Sequence, residues 1–451
     1  MHSLKENYAQ MIAAQKDPRR ASWGSAPAVS GATLASDVLN AIFTEAIQSR
    51  ASDIHLEPFQ EWLRVRFRVD GLLYEVLRIP HIHNVTVIAR IKISANMSTD
   101  AMSARKAMDG RFSMTIGKNE YDFRVATFPT LLGEKLAIRI LNKDHGLVDL
   151  NKIGLGTTDL ACLEKILQRK NGLLIVSGPT GSGKTTTLYA ILNRIHTSQV
   201  NIVTLEDPVE YQIDGINQCD IDKKDDEAFA SGLKAILRQD PNVILIGEIR
   251  DLETADIAIR AAITGHLVLT SLHANSAIGT VIRLVNMGLE RYMVSYAVIG
   301  AVTQRLVPQL CNSCRIPYVL DESVLKVLCE QCGLDIQLFS SDKADHSGKG
   351  MQYLDESDQN KIKPIKVTFY KKAGCKNCNN TGYHGRVGIF EVVFFSEDLR
   401  DAIIRNASIT ELETIARQKG FRSIAMDAIE KAKQGLVTVE DIYPILLEKG
   451  S

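Results

Sequence analysis

Apolar residues along this chain recur with two periods, and the change from one to the other outlines its organisation. Between Ala35 and Gln48 the run DVLNAIFTEAIQ is amphipathic at helical spacing, whereas Trp62 to Val69 and Tyr121 to Ala126 alternate as half-buried strands do. These predict a small α+β domain over residues 36–141. Residues 1–35 show no sustained period beyond a short helical pattern at Leu4 to Ala14, and read as a mobile tail. The polar residues 142–152 read as a hinge.

Beyond the hinge the pattern changes. Continuous apolar runs at Leu173 to Ser177, Val200 to Leu205, Val243 to Ile246 and Leu267 to Ser271 alternate with amphipathic stretches at Thr186 to Ile195, Asp226 to Arg238 and Thr254 to Ile263. Strands buried on both faces and separated by helices predict an α/β domain with a mostly parallel sheet, over residues 153–305. A cysteine-bearing stretch follows at 306–385, polar from Ser340 to Lys363, and then a helical region at 386–451. There is no internal repeat.

Composition narrows the function classes. A chain of 451 residues predicts about two to four domains. Its 53 basic and 53 acidic residues cancel, so no overall field favours nucleic acid or an anionic membrane, and no nucleic-acid partner is expected. The opening MHSLKENYAQMIAAQKDPRR lacks the apolar core of a secretory signal, and the longest apolar stretch, near Tyr292 to Val302, is too short to span a bilayer. The expectation is a cytoplasmic protein.

The most specific signal is GPTGSGKT, residues Gly178 to Thr185, which follows the apolar run Leu173 to Val176 and opens a helical pattern. Strand, G-x-x-x-x-G-K-T and helix in that order form the phosphate-binding loop of a nucleoside triphosphatase. Gly178, Gly181 and Gly183 let backbone N–H groups curl around phosphate oxygens, with Pro179, Thr180, Ser182 and Thr186 completing the loop. Lys184 is placed to reach the β- and γ-phosphates, and the Thr185 hydroxyl to hold Mg²⁺.

Hydrolysis also needs carboxylates at neighbouring strand ends. Val243 to Ile246 runs through Gly247 into Glu248, the first choice for the residue that polarises water. Glu206, Asp207 and Glu210 cluster at another strand end, where their repulsion calls for a cation. His266 and His273 flank the last core strand, and a γ-phosphate sensor is the better functional reading of this pair.

Six of the eight cysteines form C-x-x-C pairs, a spacing that holds metal in a reducing compartment. Cys311 and Cys314 with Cys375 and Cys378 are the favoured tetrahedral Zn²⁺ site; Cys329 and Cys332 compete for the role.

GPTGSGKT, TLEDPVEY, ILRQDPNVILIGEIRDLETA and TGHLVLTSLHANSA resemble, in order and spacing, the Walker A, aspartate, Walker B and histidine boxes of bacterial secretion ATPases, the motors of type II secretion and type IV pilus assembly. The resemblance extends to SDIHLEP at 52–58 and RVRFRVDG at 64–71. It implies a RecA-like core preceded by a PAS-like α+β domain and followed by a tetracysteine zinc subdomain. It also implies an ATP-driven hexamer, peripheral to the inner membrane through platform proteins. On that pattern Glu248 is catalytic, and Glu206, Asp207 and Glu210 form the aspartate box. His266 and His273 form the histidine box, and Arg66, with Arg68 or Arg124 as alternatives, is brought to the phosphates. Two departures stand out. Lys234 occupies a usual arginine position, and Ser103 to Arg111 (SARKAMDGR) lacks part of the family's EKRxPQDGR pattern. Retraction or conjugation motors, and a nucleotide-dependent scaffold with little turnover, remain alternatives at this point.

Overall fold

The computed structural model describes residues 31–100, 102–142, 148–221, 228–320, 323, 325, 326, 329, 330 and 367–447. The chain divides into two compact units at residues 146 and 147.

The first unit is an antiparallel sheet in the order β3-β2-β1-β6-β5-β4. Its strands are β1 (Ala51–Pro58), β2 (Trp62–Val69), β3 (Leu72–Pro80), β4 (Met108–Ile116), β5 (Asn119–Thr130) and β6 (Gly133–Asn142). Strict alternation in β2 buries Leu63, Val65, Phe67 and Val69 and leaves Arg64, Arg66 and Arg68 on the other face. The buried face is covered by helices α1 (Gly31–Gln48) and α2 (Asn84–Ser94), with Ile42, Phe43 and Ile91 in one cluster with the strand residues.

The second unit carries a seven-stranded sheet in the order β15-β12-β7-β11-β10-β8-β9. β7 (Gly172–Ser177), β8 (Ile202–Glu206), β9 (Asn217–Asp220), β10 (Val243–Ile246), β11 (Leu267–Leu272) and β12 (Val298–Leu310) are parallel; β15 (Tyr383–Phe394) pairs antiparallel with β12 at the edge. The continuous apolar runs have a simple cause, since both faces are covered. Leu173, Ile175, Ile244 and Ile246 enter the core on one side, while Leu174, Val176, Val243 and Leu245 enter that on the other. Helices α3 (Thr157–Leu167) and α4 (Lys184–Ile195) pack with the second set. α5 (Ala228–Ile236), α6 (Leu252–Ile263), α7 (Ala277–Asn286) and α8 (Arg291–Ala297) pack with the first. β13 (Ile316–Leu320) and β14 (Val367–Lys371) form a separate ribbon. Helices α9 (Glu397–Ile404), α10 (Ile409–Gln418), α11 (Ile424–Lys433) and α12 (Val439–Leu447) complete the chain.

Two strands depart from the sequence expectation. β12 crosses residue 305, and residues 386–394, expected to open a helical region, finish β15. The helical pattern at Leu4 to Ala14 and the polar stretch from Ser340 to Lys363 lie outside the described residues. No helix among the described residues is long and apolar enough to cross a membrane.

β15 also carries a buried acid that sequence reading passes over. Glu391 accepts from the backbone N–H of Ala277 (2.5 Å) and of Ile424 (3.1 Å), so one carboxyl closes the first turns of both α7 and α11. Burial drives its pKa up to about 7, against the pull of those two donors and of Arg305. A carboxyl raised above its unfolded value binds more protons when folded, so its contribution is complete below the ordinary Glu range and is lost as pH climbs to about 7. Glu391→Gln is therefore expected to flatten that part of the stability profile by on the order of 3 kcal/mol. Denaturant unfolding of both proteins at a series of pH values from 4.5 to 8 checks it; parallel profiles would contradict it.

Candidate functional site

In a parallel sheet the carboxyl ends of the strands lie along one edge, and there four of the predicted motifs meet. β7 ends in the glycine loop, β8 in Glu206, β10 in Gly247-Glu248 and β11 in His273. The loop crest, Pro179 to Gly181, is exposed, Ser182 is buried, Thr185 is half-buried and Thr186 is exposed. Gly183 caps α4 at φ 90°, a left-handed conformation that favours glycine. Gly178 has φ 143°, and a Cβ there would stand 2.4 Å from the carbonyl oxygen of Gln304. The Lys184 ammonium donates back to the carbonyls of Gly178 (2.8 Å) and Pro179 (3.1 Å), folding over the loop as a lid. Burial lowers its pKa, Glu248 opposes that shift and Arg305 adds to it.

The segment carrying Glu248 is pinned from both sides. Gly247 N–H donates to the Leu205 carbonyl (2.8 Å), Ser271 Oγ donates to the Gly247 carbonyl (2.6 Å), and Ile249 N–H donates to the Ser271 carbonyl (3.1 Å). Glu248 is held by Arg250, whose guanidinium also reaches Asp207 Oδ2 at 3.3 Å. His273 Nε2 stands 3.7 Å from Glu248 Oε2. Carboxylate, imidazole and guanidinium thus gather at one edge, an arrangement able to orient a water and to sense the charge it attacks.

Of the other expected site residues, Glu206 shares this edge but is turned inward, and His266 lies elsewhere. Glu206 is 4% exposed, and its carboxyl is taken up by Tyr189 Oη, Thr204 Oγ1 (2.6 Å) and Gln218 Nε2 (3.3 Å). Burial raises its pKa, with these donors opposing. Its bonds tie α4 to β8. His266 precedes β11 at the opposite end of the sheet, where its carbonyl accepts from Gly172 N–H (3.0 Å) and its Nδ1 meets the Ala261 carbonyl (3.0 Å). A six-residue strand, roughly 20 Å at about 3.3 Å per residue, separates it from the loop. The box is split by the strand between its histidines. Glu210 lies near the Tyr189 hydroxyl, which accepts its N–H at 3.3 Å.

Tyr189, Gln218, Arg250 and Gln304 are the members that sequence reading missed. Gln304 had a usable signal, since it follows the apolar-rich run Val298 to Val302 within the polar trio Thr303-Gln304-Arg305; Arg250 had its place two residues past Glu248. Lys234, which sequence comparison marks as a departure, pairs with Glu253 on the surface at 2.7 Å.

In the first unit Arg66 donates to Glu57 Oε1 at 2.6 Å, beside Arg64 on the other carboxylate oxygen and Lys135 at 3.3 Å. Burial alone would raise the Glu57 carboxyl, but these three cations pull it down to about 2. Arg68 stands 3.7 Å from Asp53. Arg124 lies on β5, in register with Arg111 and Arg139 of its neighbours.

The candidate metal centre is compact. Sγ atoms of Cys311, Cys314, Cys375 and Cys378 lie within 4.8 Å of one another. Cys311 and Cys375 are 3.8 Å apart, Cys314 and Cys378 3.8 Å, and Cys375 and Cys378 3.7 Å. Four thiolates about 2.3 Å from a central Zn²⁺ would have edges of about 3.8 Å, so the cluster fits that ion. Burial would raise the Cys378 thiol, but N–H groups of Cys375 (3.3 Å) and Gly382 (3.2 Å) donate to its sulfur and bring it down to about 6, toward the thiolate a metal needs. Cys329 is instead buried in the apolar cluster of Leu325 and Phe369; Cys332 lies outside the described residues.

Comparison with known proteins identifies the family. Residues 29–444 match the family model of the type II/IV secretion system protein. The type II secretion system protein E of Pseudomonas aeruginosa is 41% identical over 412 residues, 91% of this chain and 75% of that protein. The type IV pilus assembly ATPase PilB of Myxococcus xanthus is 40% identical over 410 residues, 90% of this chain and 66% of that protein. Among solved structures, the pilus retraction motor PilT with bound ADP aligns with TM-score 0.57 at 25% identity, over 90% of this chain and 95% of PilT. The ATPase DotB of Legionella pneumophila shares the fold, with TM-score 0.64 at 21% identity, over 90% of this chain and 95% of DotB. Matched by the family model over most of its length, and 41% identical to a type II secretion system protein E, the chain is a member of the type II/IV secretion system protein family and an ATP-hydrolysing secretion ATPase.

Proposed function

We propose that this chain works as a hexameric motor whose ATP hydrolysis drives assembly of a pseudopilus for type II secretion, in the cytoplasm and held at the inner membrane by platform proteins. The seven-stranded unit serves as a RecA-like core and the six-stranded unit as a PAS-like partner domain that brings Arg66 to the nucleotide. The observation that carries this reading is the joint placement of the Lys184 loop and Glu248 at one strand edge, on strands β7 and β10 that both pair with β11 between them.

In this scheme loop N–H groups and Lys184 bind the triphosphate, Thr185 and Asp207 hold Mg²⁺, and Glu248 orients water with His273 reading the γ-phosphate. Bound Mg²⁺ neutralises charge on the phosphate oxygens. Lys184 must release the carbonyls of Gly178 and Pro179 to reach a phosphate, so part of its binding strength is offset by those two lost bonds. Zn²⁺ on the four cysteines is structural.

Lys184→Ala is expected to lower ATP affinity at least tenfold and remove measurable phosphate release from the purified full chain. Nucleotide titration and a phosphate assay read both, and binding and turnover at the wild-type level would move the site elsewhere. Type IV pilus assembly is the second reading, favoured by 40% identity to a pilus assembly ATPase against 41% to a type II secretion protein.

A further inference from the structure

The glycine loop has a floor, and it is not part of the phosphate motif. β12 runs parallel to β7 with Thr303 opposite Ser177, their hydroxyls 2.5 Å apart, so that Gln304 comes next beneath Gly178. Gln304 is 2% exposed. Its Nε2 donates to the carbonyl of Ser182 at 2.7 Å. Two loop glycines make room for this one residue: a Cβ on Gly178 would meet the Gln304 carbonyl at 2.4 Å, and a Cβ on Gly183 would meet its Nε2 at 3.1 Å.

Peptide planarity makes that bond directional. In a trans peptide the C=O and the following N–H point opposite ways. Drawing the Ser182 carbonyl down onto β12 therefore turns the Gly183 N–H up, toward the concave side of the loop. The buried Ser182 hydroxyl has no hydrogen-bond partner among the described residues, so nothing from its own side chain fixes this plane. Gln304 is the only side chain among the described residues that hydrogen-bonds the Ser182 carbonyl.

We infer that Gln304 is a positioning residue for nucleotide binding, a strut that sets the Ser182–Gly183 peptide so that its N–H faces phosphate. This rests on the phosphate reading of the loop. The chemistry it serves is recognition of an oxyanion by a preorganised amide, which lowers the cost of ordering the loop at binding.

The test uses the full chain and Mg–ADP as the titrant. Gln304→Met keeps the volume and removes the donor; Gln304→Asn keeps an amide but withdraws it by about 1.5 Å, one C–C bond. Both are expected to weaken Mg–ADP binding about five- to tenfold, the equivalent of one hydrogen bond of about 1–1.4 kcal/mol. KM for ATP should rise in parallel while kcat at saturation stays within about twofold, a split that general loosening of the fold does not give. Wild-type affinity in either folded variant overturns the inference, as does a loss confined to kcat. If Lys184→Ala abolishes binding while Gln304→Met leaves it intact, the strut alone is wrong; if neither changes it, the phosphate reading of the loop fails. Should the Met variant not fold, the Asn variant decides the matter.

Discussion

Glu248→Gln is expected to bind ATP with near wild-type affinity and to release phosphate about 10²- to 10⁴-fold more slowly, the usual contribution of one positioned proton acceptor. The substitution is nearly isosteric, and the segment that carries it is fixed by backbone bonds to Leu205 and Ser271 that do not involve the side chain. What changes is charge. Arg250 loses its partner on that oxygen but keeps Asp207, and His273 loses the carboxylate 3.7 Å from its Nε2. Removing a negative group near the phosphates, if anything, favours the triphosphate. Affinity held and turnover lost is thus the signature of a water-orienting carboxylate. Turnover that survives the change would displace Glu248 from that role.

Cys375→Ser should strip the chain of about one zinc per molecule and unfold the region around it. Apparent binding free energies of structural zinc in small domains are about 10–16 kcal/mol, so three thiolates and a hydroxyl cannot sustain the site. The same cysteines also organise the backbone here. Cys375 supplies both a sulfur and the N–H that supports the Cys378 sulfur, and Cys311 N–H donates to the Gly382 carbonyl at 2.9 Å. Metal analysis beside limited proteolysis reads the outcome, with Cys329→Ser as the control that keeps its zinc. A full zinc complement in Cys375→Ser would point to the pair at 329 and 332.

Sequence reading succeeds where a physical constraint is local. Leu173 to Val176 can be recognised as a strand because burial on both faces leaves no polar position to break the run, and the glycine loop because its chemistry fixes residue types at fixed spacing. The cysteine four are legible for the same reason, although only the fold brings their two pairs within contact. It fails where partners are distant. β12 contains Thr303, Gln304 and Arg305 in sequence, polar residues that are buried only because β7 and β15 flank them. Glu206, Asp207 and Glu210 look like one acidic cluster, yet Tyr189 from the neighbouring helix draws Glu206 into the core. His266 and His273 share a motif but not a location, as their places on either side of the Leu267–Leu272 run foretell.

The edge pairing of β12 with β15 dictates an order of maturation. Until Tyr383–Phe394 has left the ribosome, β12 must wait with one flank open, and Gln304 with it. The glycine loop, encoded near the middle of the chain, thus rests on a strand whose outer flank is closed by residues made some eighty positions later, Tyr383–Phe394 against Val298–Leu310.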